Sequence, residues 1–448
     1  MRLLRYRIVN SVNQFFPEQG FLNKFTGVLS IDILVKASSF VLIPVYLRLM
    51  TQNEFGLYNY LLSIIQTFSL VLNLGLYIPQ SKLYHTLPSQ KERGQFLFTI
   101  ISTLLFFIFI FGVLSAFFHL DFWFIGILFK NNFSYKSYRL FVLIALAVSV
   151  LSFMLTNFFY TSEKIREVKR YNVCRIIFVN LVALGAVYFI PKDSVGTRLE
   201  FTYVAEFILL LPFSYIFVNE LVPSFRWDLM KISFRMAFPI MASAVFGIII
   251  NFSDKYFLEK YGSLKDLSNY YLAFSFASIL PLIFTSLQNV WLPGFMKEAN
   301  LKENIRKTKK LIAGLVLFFL VLSFGIWVLC KFLIVVNIIP QQYSPVLSVL
   351  PLLLLIQIVT ALSTLFSNYL VYFEKTQFVL YAGFFVSIIS LAMGLWLIPR
   401  FGIYGAAISS LTSNCIYLLI YYYLAGLLKE KHLKSSEVRK IQTYEYSV

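Results

Sequence analysis

Asp32 and Lys36 stand four positions apart, acid first, inside an otherwise apolar stretch. At that spacing one helix face carries both side chains. In hydrocarbon an isolated charge costs on the order of 3 kcal/mol, so the two must pair or face a watery cavity. As a functional pair, Asp32 would couple an ion and Lys36 would contact an anionic headgroup; as a structural pair, they only neutralise each other. Glu206 lies in another apolar stretch, with no opposite charge within one turn of its own helix. Burial favours the protonated form of a carboxylate, which makes Glu206 a candidate proton carrier. A cation on a neighbouring helix, such as Lys36, would make it structural instead. Asp254 and Lys255 are adjacent and therefore point about 100° apart on a helix. Asp254 is a third candidate for ion coupling, and Lys255, about one turn from the end of its stretch, can snorkel to the interface. Arg139 and Arg175 open two further stretches. Snorkelling competes there with service in a cavity, but phosphate binding needs cations and the apolar stretches offer few others.

Neutral polar groups extend the set. Gln66 and Asn73 are seven residues apart on one stretch, and Asn157, Asn180, Asn251, Gln288, Asn289, Gln357, Asn368 and Asn414 add amides elsewhere. Such groups bind sugar hydroxyls, yet the same groups make interhelical hydrogen bonds worth about 0.6 kcal/mol on average.

The elements that must hold these residues are legible in composition. The 448-residue chain is 59% hydrophobic and 13% charged, with a mean hydropathy of +0.75. A soluble domain could not hide that much apolar surface. A hydrocarbon core about 30 Å thick needs about 20 helical residues per crossing. Twelve stretches qualify: 26–48, 57–79, 95–118, 138–160, 171–190, 199–219, 234–258, 270–292, 309–331, 345–371, 377–398 and 404–427. They are continuous rather than alternating, as helices and not barrel strands require. The expectation is an all-α integral membrane protein with 12 transmembrane helices.

Basic residues set its orientation. The N-terminus, alternate loops thereafter and the C-terminus hold 26 of the 39 Lys and Arg, whereas the opposite loops hold nine, among them Arg48, Lys130, Arg198 and Arg400. The positive-inside bias then predicts both termini on the cytoplasmic side. The formal charge of +18 is spread over short loops beside anionic headgroups, so nucleic acid is not an expected partner and membrane lipid is. The first 24 residues carry Arg2, Arg5 and Arg7 without an apolar core and small-residue cleavage site, and read as a cytoplasmic lead-in. Cys174, Cys330 and Cys415 lack ligand spacing and read as packing residues, with no cofactor or metal expected.

Six stretches precede the basic segment Glu220–Trp227 and six come after it, which divides the chain into lobes 1–222 and 223–448 at about Pro223. Leu57-Tyr-Asn-Tyr-Leu-Leu62 opens the second stretch much as Ser268-Asn-Tyr-Tyr-Leu-Ala273 opens the eighth, and Pro79 and Pro293 are read as their ends. Two sixes in the same orientation describe a parallel repeat whose halves rock about a central cavity.

Three motifs in order sharpen the reading. They are Pro44-Val-Tyr-Leu-Arg-Leu-Met-Thr-Gln-Asn-Glu-Phe-Gly-Leu-Tyr58; Asn251-Phe-Ser-Asp-Lys-Tyr-Phe-Leu258 with, further on, Asn269-Tyr-Tyr-Leu-Ala-Phe274; and Ile398-Pro-Arg-Phe-Gly-Ile-Tyr-Gly-Ala-Ala407. Over essentially its whole length the chain resembles the polysaccharide and O-antigen flippases of the multidrug/oligosaccharidyl-lipid/polysaccharide exporter superfamily. The resemblance implies a V-shaped, MATE-like pair of six-helix lobes around a cavity. It also implies an acid at the place of Asp254. Twelve helices fit these flippases better than the related lipid II flippases, which carry two more. Physically, Pro44 bends a helix where a gate could lie, and Gly402 with Gly405 permits a tight turn and close helix contact.

The function this resemblance implies is that of a flippase, not an enzyme. Its cargo would be an undecaprenyl-pyrophosphate-linked oligosaccharide (O-antigen, capsule or a similar unit of lipopolysaccharide assembly), moved across a bacterial inner membrane. Alternating access would be coupled to H+ or Na+, and a polymerase and a chain-length regulator are expected partners. No G-x-x-x-x-G-K-[ST] loop is present to drive an ATP pump. A drug/cation antiporter of the same superfamily is the alternative. A membrane polymerase or acyltransferase fits less well, because the longest outer loop, 119–137, offers only His119, Asp121, Lys130 and Lys136.

Overall fold

A computed structural model describes residues 40–130, 135–298 and 300–445. Asp32 and Lys36, with most of the first expected crossing, lie outside the described residues. Within them the regular elements are helices and no strand occurs. In chain order they begin with α1 (Phe40–Leu49), α2 (Gln52–Leu72), α3 (Tyr77–Leu83), α4 (Gln90–Phe118), α5 (Leu120–Leu128), α6 (Arg139–Thr161) and α7 (Ile165–Cys174). Then come α8 (Asn180–Phe189), α9 (Ser194–Val218), α10 (Trp227–Tyr261), α11 (Leu264–Ala277), α12 (Ile279–Lys297), α13 (Leu301–Val335), α14 (Val346–Tyr372) and α15 (Gln377–Glu445). A π-helical turn, Arg175–Val179, joins α7 to α8. Among the described residues nine helical stretches are long and apolar enough to cross a membrane, so this is a multi-pass membrane protein.

Local chemistry sets the helix ends. Thr51 and Glu54 form a reciprocal capping box at the start of α2, with Glu54 Oε2 accepting from Thr51 N at 2.7 Å. Asp193 caps α9 through Gly196 N at 3.0 Å, and Asn300 caps α13. At the start of α10, Arg226 grips Asp228 with two nitrogens, at 2.6 and 2.9 Å. That guanidinium holds the Asp228 carboxyl down at about 2.

The structure departs from the sequence expectation at three places. The second stretch does not run to Pro79: α2 ends at Leu72, Asn73 caps it, and the chain turns through Leu74 (φ 53°) and Gly75 (φ 67°). A side chain at Gly75 would be strained by that φ and would crowd the Ala237 carbonyl. Pro79 thus lies in α3, and Pro293 lies inside α12 rather than ending it. The expected outer loop 119–137 contains α5, which succeeds α4 across the left-handed His119. The eleventh and twelfth stretches remain two helical segments within α15, separated as expected by a kink at Gly402 (φ 52°), where the backbone is not helical. Gly405 meets the Leu397 carbonyl oxygen where a methyl group would stand, as close helix contact requires.

Packing groups the described chain into two compact units, one of residues 40–271 with 394–406, the other of 272–393 with 407–445. In the first, Phe96, Ile100 and Leu104 of α4 pack with Val150 and Met154 of α6 and with Leu229, Met230 and Ala237 of α10. In the second, α14 is the most enclosed helix, burying Val349, Leu350, Leu353, Leu354 and Leu365. Trp327 Nε1 donates to the Leu347 carbonyl at 3.0 Å, and Thr360 to Asn414 Oδ1 at 2.9 Å. Phe106, Phe109, Phe117 and Phe118 on α4, and Leu317, Val321 and Phe324 on α13, stay exposed. Lipid is the solvent that such faces suit.

Candidate functional site

The π-turn between α7 and α8 begins at Arg175. Such turns insert one extra residue into a helix and often mark functional positions. From there one Arg175 Nη lies 2.9 Å from Glu206 Oε1 and 3.2 Å from Oε2, on α9. The side chain of the acid is 2% exposed and that of Arg175 48%. Tyr171 and Tyr203 flank Glu206, and Tyr171 Oη is tied to Ser152 of α6 at 2.8 Å. The partner that the sequence did not supply for Glu206 is therefore Arg175. Burial of the acid fixes one side of the ion pair, while the arginine side chain stays partly accessible.

Arg139 is held differently. Its Nε lies 2.8 Å from Asp121 Oδ2 and one Nη 3.3 Å from Oδ1. The same Nη donates to the Ser115 carbonyl, and the guanidinium sits 4.9 Å over the Phe122 ring. Asp121 is 3% exposed and Arg139 25%. These contacts pin α6 to α4 and α5, and they leave Arg139 little free surface.

Asp254 and Lys255 form a buried pair, 6% and 8% exposed and 3.1 Å apart. Lys255 does not snorkel: its Nζ turns back to the Asn251 carbonyl at 2.6 Å and to the Asp254 carboxylate, two acceptors within its reach. Tyr270 Oη donates to Asp254 Oδ2 at 2.5 Å. The neighbouring motif residues also bond to α2, Gln52 Nε2 donating to Asn269 Oδ1 at 3.1 Å and Ser63 pairing with Tyr271. In the first motif, Tyr46 and Tyr58 sandwich the Arg198 guanidinium, 3.5 and 3.8 Å from their ring centres. Two of the three motifs are thus contacts that knit this unit together.

The amides divide. Gln66 is exposed on α2. Asn73 is buried at the end of that helix, its Oδ1 without a hydrogen-bond donor among the described residues, so the two do not share a continuing helix face. Asn157 Nδ2 donates to Gln80 Oε1 at 2.7 Å and docks α3 on α6. The structure therefore brings together Arg175 with Glu206, and Asp254 with Lys255. Sequence reasoning passed over Asp121, although its place in an apolar nine-residue run was a signal, and Arg198, whose two tyrosines are far off in sequence.

The family model described as "Polysaccharide biosynthesis protein" matches residues 21–298. No curated protein sequence matches the chain. Among solved structures, lipid II flippase MurJ in an inward closed conformation is similar at 15% identity and a TM-score of 0.67, over 88% of this chain and 87% of that one. An inward-facing multidrug resistance MATE transporter of the MOP superfamily matches at 11% identity and a TM-score of 0.63, over 94% and 96%. A MOP superfamily transporter from Pyrococcus furiosus matches at 11% and 0.57, over 92% and 95%. At these identities the likeness is one of fold.

Proposed function

Because the chain belongs to the polysaccharide biosynthesis protein family, we propose that it is a flippase for a polyprenyl-pyrophosphate-linked oligosaccharide, the undecaprenyl form in a bacterial inner membrane. The cargo passes from the cytoplasmic to the periplasmic leaflet by alternating access of two six-helix lobes, 1–222 and 223–448, with both termini inside. The Arg175–Glu206 pair is the observation that carries the reading. The Arg175 side chain is about half accessible, its guanidinium has in-plane donors that suit a diphosphate, and the buried acid holds it in place. Glu206, Asp254 and Asp32 are the carboxylates for an H+ or Na+ gradient, Lys36 is a second cation for the headgroup, Arg139 and Lys255 hold their helices in place, and Gln66 and Asn73 are amides for the sugar. A polymerase and a chain-length regulator would receive the product.

Deleting the gene should stop surface polysaccharide assembly and leave lipid-linked intermediate on the cytoplasmic leaflet. Unchanged polysaccharide together with new drug sensitivity would overturn the proposal. That outcome would favour a multidrug/cation antiporter, the reading to which the MATE-like fold lends weight.

A further inference from the structure

At one end of the second compact unit, cations outnumber the acids able to pair with them. Lys307 takes Glu298 at 2.7 Å, Arg306 takes Glu303 at 2.9 Å and Lys434 takes Glu430 at 2.7 Å. Lys429 and Lys309 have no carboxylate within ion-pair distance among the described residues. Lys309 is near enough to act on Lys429 electrostatically. Lys429 nevertheless does not extend into solvent. Its Nζ lies 4.2 Å from the Tyr369 ring centre and 5.6 Å from that of Phe366, both on α14.

Aromatic faces hold a cation in place without neutralising it. The surroundings are rigid: Tyr369 is buried against Phe295 of α12 at 5.0 Å, His432 of α15 stacks on Phe373 at 4.2 Å, and Tyr372 Oη donates to the Glu298 carbonyl at 2.9 Å. One ammonium group propped on two rings and a second within its electrostatic reach, neither matched by an acid among the described residues, make a seat for a phosphate anion.

We infer that Lys429 and Lys309, with Tyr369 beneath, bind the phosphate of an amphiphile. A phospholipid headgroup and the diphosphate of a prenyl-linked cargo share that chemistry. The site is separate from Arg175–Glu206 and stands whether or not the cargo reading holds.

The test uses the full-length protein in mild detergent, with retention of added phosphatidylglycerol, phosphatidylcholine or a short-chain prenyl pyrophosphate read by native mass spectrometry. Lys429→Ala and Lys309→Ala should each lower retention of a phosphate ligand about fivefold, as removal of one lysine charge implies. Lys429→Arg should restore it, and Lys434→Ala, already paired, should leave it unchanged. Loss of phosphatidylglycerol but not of phosphatidylcholine identifies the membrane headgroup; loss of the prenyl pyrophosphate alone identifies the cargo. Lys309 is exposed, so its alanine variant remains informative should Lys429→Ala misfold. Retention of all three ligands at wild-type levels in Lys309→Ala, or equal losses in Lys434→Ala, would overturn the inference.

Discussion

Arg139–Asp121 and Arg175–Glu206 are the same chemistry built to opposite ends within one compact unit. Each sets an arginine against a carboxylate that is almost wholly buried, at 2.8 and 2.9 Å. Around Arg139 the protein adds a backbone carbonyl and a ring face, and exposure falls to 25%; Arg175 is left at 48%. Position alone predicted similar roles for the two, because both open an apolar stretch. What separates them is how much of the guanidinium the surroundings use up. An arginine held through two nitrogens and a ring face is a rivet, whereas one held through a single nitrogen has donors to spare for a ligand.

The contrast can be broken by measurement. Asp121→Ala should have the largest effect, because it leaves Arg139 uncompensated: about 3 kcal/mol of stability, seen as lower accumulation and an earlier melting transition, with transport per folded molecule unchanged. Arg175→Ala should strand the buried Glu206 and so lower the melting temperature as well, but unlike Asp121→Ala it should also lower transport per folded molecule between about tenfold and a hundredfold in a complementation or leaflet-accessibility assay. Adding Glu206→Gln to it should recover melting temperature but not transport. Arg175→Lys should fall between, at roughly fivefold, since an ammonium lacks the planar fork that grips a diphosphate. Tyr270→Phe, which removes one donor to Asp254, should be mildest, at about 1 kcal/mol in thermal unfolding. Equal transport losses in Asp121→Ala and Arg175→Ala would erase the distinction.

Hydropathy made most of this fold legible, because a helix in lipid must satisfy its own backbone and so declares itself as a long apolar run. Breaks inside such runs were less visible. Residues 57–79 read as one crossing although Asn73, Leu74 and Gly75 carry the signature of a helix end, since their neighbours on both sides are apolar. α5 went unseen because nine residues fall short of a crossing. Among the candidate residues, the chemistry of Glu206 and Arg175 was readable but their pairing was not. They are 31 positions apart on different helices, and only packing joins them. Lys255 misled for the opposite reason: its position permits snorkelling, and a carboxylate within its reach decides against it.

The π-turn gives the pair a dependence that substitution would not reveal. It is an α-helix with one residue too many, so α7 and α8 run out of phase, and Arg175 stands where the slip begins. Removing any one of residues 176–179 would heal the turn and rotate α7 against α8 by about 100°. A chain could then keep an arginine, a glutamate and every helix and still aim the guanidinium away from its acid. The pair is written in the count of residues as much as in their identities.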